Sequence, residues 1–232
     1  MRRLGMTDIA ERGSTGQANE GIKELKQERA IRTRTRILNA AAEAFASKGF
    51  PAVTILDVAE LTGMTKGAVY FHYTNKEALA VAVIEEFDSR FPVVAKTVSA
   101  LGLAPVAAVA ELLTRTAIAF RDDTMMRAGA RLQIERGLIR AALPLPYAKY
   151  TEIIYGWLKT AAEEDGLKPG TSPEALARVL VSAFFGAQHI SWVLNDRADI
   201  TERTLEVIRA VIPCGEGALL ACPSIPDRGN AA

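Results

Sequence analysis

Five hydrogen-bonding side chains crowd one short stretch, "GMTKGAVYFHYTNKEAL" at 63–79: Thr65, Lys66, Tyr70, His72 and Lys76. Hydroxyl, ammonium, phenol and imidazole groups at this density suit a polyanion. Thr65, Lys66 and the edges of Gly67 and Ala68 would enter a DNA major groove, where small residues let a backbone come near base edges and thymine methyls. Tyr70, His72 and Lys76 are placed to reach phosphates and set register. Taken singly, each is also an ordinary solvent-facing side chain, and Tyr70 is also a half-buried core ring. As a set, with Arg36 and Thr54 nearby, they form a candidate nucleic-acid contact surface. Catalytic patterns are missing from the sequence: there is no G-x-S-x-G, no H-E-x-x-H and no phosphate-cradling glycine loop, and there are only 2 histidines. Glu85–Glu86 and Glu163–Glu164–Asp165 are adjacent surface charges rather than paired acids. Cys214 and Cys222, in a Pro/Gly-rich tail, match no metal-ligand spacing. The expectation is therefore no enzyme, no cofactor and no metal.

Something must hold those donors in place, because "KGAVYF" completes fewer than two turns and such a helix cannot stand alone. Thr54 is a good N-cap for "ILDVAEL", with Asp57 three residues on near the positive end of the dipole. Gly63 permits the positive φ of a tight turn, and Thr65 caps the next start. Val58, Ala59, Met64, Ala68 and Val69 supply an apolar set to clamp the pair from behind. This is helix-turn-helix spacing. "RILNAAAEAFASKGF" (36–50) is the supporting helix, with Ile37, Leu38, Ala40, Ala41, Ala44 and Phe45 on its stripe, Gly49 at its end and Pro51 preventing resumption. Asn75 opens a long run over 76–91.

The remaining chain sets the frame. Of 232 residues, 49% are hydrophobic, enough for a sizeable core. Residues 1–76 hold 12 Lys and Arg against 8 Asp and Glu, and the rest hold 16 against 19, so a basic module leads an acidic body. No window approaches 18 uninterrupted apolar residues and no apolar stretch follows the N-terminal arginines; neither a membrane span nor a secretory signal is expected, and a reduced cytoplasm is the simplest compartment. Helical patterns cover 105–120, 125–139, 147–166, 172–194 and 199–212, with a Pro-x-Pro corner at 144–146. The predicted architecture is all-α, about nine helices. Its parts are a flexible basic arm (1–28), a helix-turn-helix domain (29–76), a ligand-binding and dimerisation domain (77–213) and a loose tail (214–232).

The run "RILNAAAEAFASKGFPAVTILDVAELTGMTKGAVYFHYTNKEAL" resembles the DNA-binding domain of TetR-type transcriptional regulators. The resemblance implies an all-α homodimer, a double-stranded palindromic operator as partner and a small effector in the second domain, with Thr65, Lys66, Tyr70, His72 and Lys76 at positions used for DNA contact. "FRDDTMMRAGARLQIERG", "LPLPYAKYTE" and "FFGAQHIS" further resemble the γ-butyrolactone receptor branch, nearest the methylenomycin furan receptors. That likeness implies repression of antibiotic-biosynthesis genes until a diffusible autoregulator intervenes. Tyr150 stands where butyrolactone receptors usually carry tryptophan, which favours a furan or another small polar-headed, alkyl-tailed signal.

The residues permit such an amphiphilic ligand. Leu113, Thr116, Ala117 and Phe120 share a stripe and can line an apolar tunnel. Gln133 is the uncharged polar group on a face with Gly129, Ala130 and Ile134, and is equally an interhelical hydrogen-bonding residue. Tyr147 and Tyr150, past the proline corner, can aim hydroxyls at a ligand oxygen or be core rings with satisfied hydroxyls. Gln188 joins the ligand set. It lies beside His189 and Trp192 on the helix expected, with 199–212, to form the dimer seam. A broad multidrug-sensing repressor of an efflux gene is the alternative, although 6% aromatic content is low for its larger pocket.

Overall fold

The structure is a computed structural model and describes residues 10–212, with side chains from residue 23 onward. The expected tail, with Cys214 and Cys222, lies outside the described residues. Nine α-helices and one 3-10 turn account for the fold among those described: α1 (Ala10–Ala52), α2 (Ile55–Thr62), α3 (Lys66–His72), α4 (Lys76–Ser99), α5 (Pro105–Asp122), α6 (Thr124–Ile134), the 3-10 turn (Arg136–Leu138), α7 (Pro146–Glu163), α8 (Pro173–Asn195) and α9 (Ile200–Val211).

Two boundaries differ from the sequence expectation. Residues 10–28, expected as a flexible arm, are helical backbone continuous with α1. Once a helix is nucleated on a packed segment, each further residue adds a hydrogen bond without a new nucleus, and Arg32–Glu28 adds an exposed i,i+4 pair. The long helix expected to stop before Pro92 instead runs through it to Ser99. Pro92 costs one ladder bond, yet its exposed ring leaves Phe91, Ala95 and Val98 in the core, and that burial outweighs the loss. Gly49 does interrupt α1, in left-handed backbone at φ 78.

Two apolar cores result. The first packs Ile37, Ala41 and Phe45 of α1 against Val58, Val69, Leu79 and Val83. The second packs Phe87, Phe91 and Val98 against α5, α7, α8 and α9. Two helices belong to both. α4 gives Leu79, Val83 and Ile84 to the first core and Phe87, Phe91 and Val98 to the second. α6 gives Met125, Ala128 and Leu132 to the first and Met126 and Ala130 to the second.

The α4–α6 crossing is tight. A Cβ on Gly129 would lie 2.2 Å from Phe87 Cγ, so only glycine lets the two backbones approach this closely. Gly129→Ala forces overpacking worth about 1–3 kcal/mol. A thermal melt should show a Tm drop of roughly 2–4 °C per kcal/mol. Gly137→Ala, where an added Cβ meets nothing within 4 Å, should leave the Tm unchanged.

Candidate functional site

α2 and α3 are built by local chemistry. Thr54 caps α2 in a capping box, donating its N–H to Asp57 Oδ2 at 2.7 Å while its hydroxyl oxygen accepts from the Asp57 N–H at 3.3 Å. Gly63, at φ 64, closes α2 by donating to Glu60 and Ala59 carbonyls. Thr65 then caps α3, accepting from the Ala68 N–H at 3.2 Å. Val69 is the one buried residue of α3. The rest of this seven-residue helix is therefore held by a single apolar anchor, two caps and the turn, with its outer side free.

That side carries the predicted contact residues. Thr65, Lys66, Gly67 and Tyr70 are exposed, and Ala68 and His72 are half-buried at its edge. Phe71, which the sequence reading did not single out, is 83% exposed and meets the His72 ring edge-on at 5.2 Å. Its only signal was membership of the aromatic run "VYFHY". Three other predicted DNA contacts have work inside the fold. Arg36 donates to the Thr62 carbonyl at 2.7 Å and so caps the end of α2. Lys76 donates to the Phe50 carbonyl at 2.8 Å and lies 4.3 Å over the Phe50 ring, so it anchors the α1–α2 corner. Thr54 is the cap just described. Spacing placed all three near the motif, but the carbonyls that claim Arg36 and Lys76 come from distant segments.

In the second domain, Leu113, Thr116, Ala117, Phe120 and Tyr150 are all 0% exposed. The tunnel expected along this stripe is closed in this state. Tyr150 donates its hydroxyl to Thr116 Oγ1 at 2.9 Å, and Thr116 donates to the Leu112 carbonyl at 2.8 Å. Burial raises the Tyr150 pKa above its ordinary value, against a smaller opposing effect of that hydrogen bond. Around it stand Phe91, Phe184 and Phe185, with ring centroids 4.8, 6.3 and 5.7 Å away. Tyr147 packs on Phe185 at 4.2 Å, and burial raises its pKa too, with Arg136 nearby pulling it back. The phenylalanines were not in the expected ligand set, although "FFGAQHIS" carried the signal.

Gln133 is buried and bridges the Pro144 carbonyl and the Arg136 guanidinium, at 3.5 and 3.0 Å. Gln188 is 2% exposed and its Nε2 has no partner among the described residues. Ile134 does not join them. It is 51% exposed, because the two buried faces of α6 are used up by 125–128–132 and 126–130 and position 134 falls to solvent.

The electrostatics of the α1–α2 corner give a measurable consequence. Lys48 and both polar groups of Thr54 bind the Asp57 carboxylate and hold its pKa well below 3.8. A depressed folded pKa contributes stability above the unfolded value and loses it as pH falls below. Asp57→Asn should therefore be less stable than wild type at pH 7 and at pH 5. The gap should shrink as pH drops below about 4, and chemical denaturation at each pH reads it. A gap that persists unchanged to pH 2 contradicts this account.

Comparison with known proteins agrees with this layout. Residues 37–83 match the model of bacterial regulatory proteins of the tetR family, and residues 106–214 match the tetracyclin repressor-like C-terminal domain. The A-factor receptor protein of Streptomyces griseus is 30% identical over 188 residues, 81% of this chain and 65% of its own length. The chain thus spans somewhat less than two thirds of that relative. A solved structure described as the molecular basis for control of antibiotic production by bacterial hormones is 50% identical, covering 78% of this chain and 96% of its own, with a TM-score of 0.74. A γ-butyrolactone receptor, ArpA-like, is 26% identical over 78% of this chain and 98% of its own, with a TM-score of 0.62.

Proposed function

Because the chain belongs to the tetR family of bacterial regulatory proteins, we propose that it is a homodimeric repressor of antibiotic or other secondary-metabolite genes, released from operator DNA by a small diffusible signal. The observation that carries this reading is the sharing of α4 and α6 between two cores. A displacement in the effector core must move the module that holds α3. No catalytic step belongs to this reading, and the protein works in the cytoplasm, on the chromosome.

α3 enters the major groove. Lys66 and Tyr70 contact phosphates, and the small Gly67 and Ala68 bring the helix near base edges. Exposed Val179, Ile190, Val193 and Leu194 on α8 form the face on which a second copy docks. The dimer sets its two α3 helices about one turn of DNA apart, ~34–36 Å. The signal has a polar head and an alkyl tail, as a furan or a butyrolactone does. It binds among Tyr147, Tyr150, Thr116 and the phenylalanines, and favours a state in which α4 has shifted and the spacing is lost. The relatives at 30% identity or more that match along most of the chain support this over a broad multidrug sensor: one is a receptor for A-factor and one a structure concerned with hormone control of antibiotic production.

A mobility-shift titration tests the reading. The probe is DNA from upstream of the protein's own coding sequence, with and without organic extract of the producing culture. Binding in buffer and release by extract are expected; binding that ignores the extract rejects the signal, and no binding to this or any other genomic fragment rejects the repressor. Lys66→Ala should weaken binding and reduce the slope of log affinity against log salt by about 1. Tyr150→Phe keeps the ring but removes the hydroxyl, so it should retain operator binding and need several-fold more extract for release.

A further inference from the structure

Arg197 occupies an unusual place for a positive charge. It closes the turn after α8 in left-handed backbone, φ 66, and only 3% of it is exposed. Its nearest carboxylate, Asp196, is 3.9 Å away and 85% exposed, too distant and too well hydrated to offset the burial of a guanidinium. The Nε of Arg197 has no hydrogen-bond partner among the described residues. Arg127 on α6 repeats the pattern: its buried Nε is also unpartnered, and its one side-chain bond runs from Nη2 to Thr124 Oγ1 at 3.2 Å.

Both guanidiniums open onto the same cleft of about 560 Å³, between the helix-turn-helix module and the second domain. Asn39 and Ser47 of α1 and Thr124 of α6 add neutral polar groups to its lining. Trp192 forms a wall, with the guanidiniums of Arg197 and Arg131 at 5.0 and 5.4 Å from its ring centroid. Burial, with Arg127 and Arg131 close by, lowers the Arg197 pKa to about 10, so the side chain stays charged at neutral pH. Two acids, Glu43 and Asp196, also line the cleft, but both are exposed to water and neither engages the unpartnered Nε atoms. The cleft therefore carries one buried and one half-buried guanidinium, each with a buried Nε that lacks an acceptor among the described residues, a costly arrangement unless something offsets the charge.

We propose that this cleft is a second small-molecule site, separate from the ring cluster around Tyr150, and that it takes a phosphoryl group, either as inorganic phosphate or on a small phosphomonoester. The planar forks of two arginines match the oxygens of a tetrahedral oxyanion. A phosphoryl dianion balances both guanidiniums where a carboxylate balances one. Bound there, it joins α1 to α6 and to the α8–α9 turn, and so braces the junction between the two domains.

Trp192 provides the readout once Trp157, the other of the 2 tryptophans, is replaced by Phe. The full-length Trp157→Phe protein is titrated with sodium phosphate and, separately, with glycerol 3-phosphate at ionic strength fixed by sodium chloride. Emission and Tm are followed in each arm. A saturating change in Trp192 emission with a parallel rise in Tm is expected, and whichever of the two probes saturates at lower concentration identifies the form of the phosphoryl ligand. Arg127→Gln should weaken the apparent affinity by at least about tenfold, and Glu43→Gln should tighten it. Arg197→Gln should act like Arg127→Gln, but its burial can compromise folding, so Arg127→Gln decides. The exposed Arg140→Gln should change nothing. A response no larger than that to chloride, an equal affinity for sodium acetate, or an undiminished response in Arg127→Gln each overturns the proposal.

Discussion

The end of a helix leaves its last carbonyls without partners, and the end of α1 finds its partners in the other domain. Arg131 of α6 donates through Nη1 to the Ala46 and Ser47 carbonyls at 3.0 and 2.9 Å. Its Nε pairs with Glu135 Oε1 at 3.0 Å, and Glu135 Oε2 accepts the Phe50 N–H at 2.6 Å. Lys76 takes the Phe50 carbonyl from the other side. Gly49 lies at the centre of these bonds. At φ 78 it turns the chain sharply, and a Cβ there would lie 2.5 Å from Glu135 Oε1 and 2.6 Å from Arg131 Nη2. Arg131 and Glu135 are 20% and 18% exposed, so the charges are partly desolvated and breaking one leaves the other stranded. The junction is a specific polar lock laid over the apolar contact of Met125, Ala128 and Leu132 with the first core.

That lock decides what motion can pass between the domains. Apolar cores packed at crystal density repack between discrete arrangements rather than stretching smoothly. α4 is tied further by ion pairs from Arg90 to Asp123 at the start of α6 and from Asp88 to Lys149 on α7. Phe87 is also pressed on Gly129, so α4 and α6 are closely packed against each other. A change at Phe91 or Tyr150 therefore reaches Leu79 and Val83 along one rigid helix, and reaches Ala46 and Ser47 through Arg131 on the other. Two sets of contacts converge on the same small module.

The parts of this that were legible in the sequence were the local ones. Thr54, Gly63, Thr65 and Asn75 each do their capping or turning within four residues, and such signals survive without tertiary context. The parts that were misjudged depend on long-range partners. Arg36 and Lys76 were expected as DNA contacts, and their bonds to the Thr62 and Phe50 carbonyls could not be foreseen because those lie 26 residues away. Pro92 looked like a stop because the weight of Phe91, Ala95 and Val98 in the core is invisible locally. Ile134 looked like a pocket residue because a helix with two buried faces shows an apolar stripe too wide to divide by periodicity. The Arg131–Glu135 pair has i,i+4 spacing, which normally signals a surface pair worth little.

The closed state of the effector core also constrains what can open it. Phe120, Phe184 and Tyr150 are fully buried, so a ligand of the proposed kind would have to displace a packed ring, at roughly 3–5 kcal/mol, the scale of removing an aromatic from a packed interior. An alkyl chain returns about 0.8 kcal/mol for each methylene it buries, so four to six methylenes offset that cost and a shorter tail does not. The polar end faces a different demand. Among the described residues the Tyr150 hydroxyl bonds Thr116 alone, and a ring that swings away loses that acceptor. The incoming molecule must bring an oxygen of its own to that hydroxyl. A signal that is all tail leaves a buried phenol stranded, and one that is all head cannot part the rings. The way these rings fill the core supports the proposed polar-headed, alkyl-tailed signal.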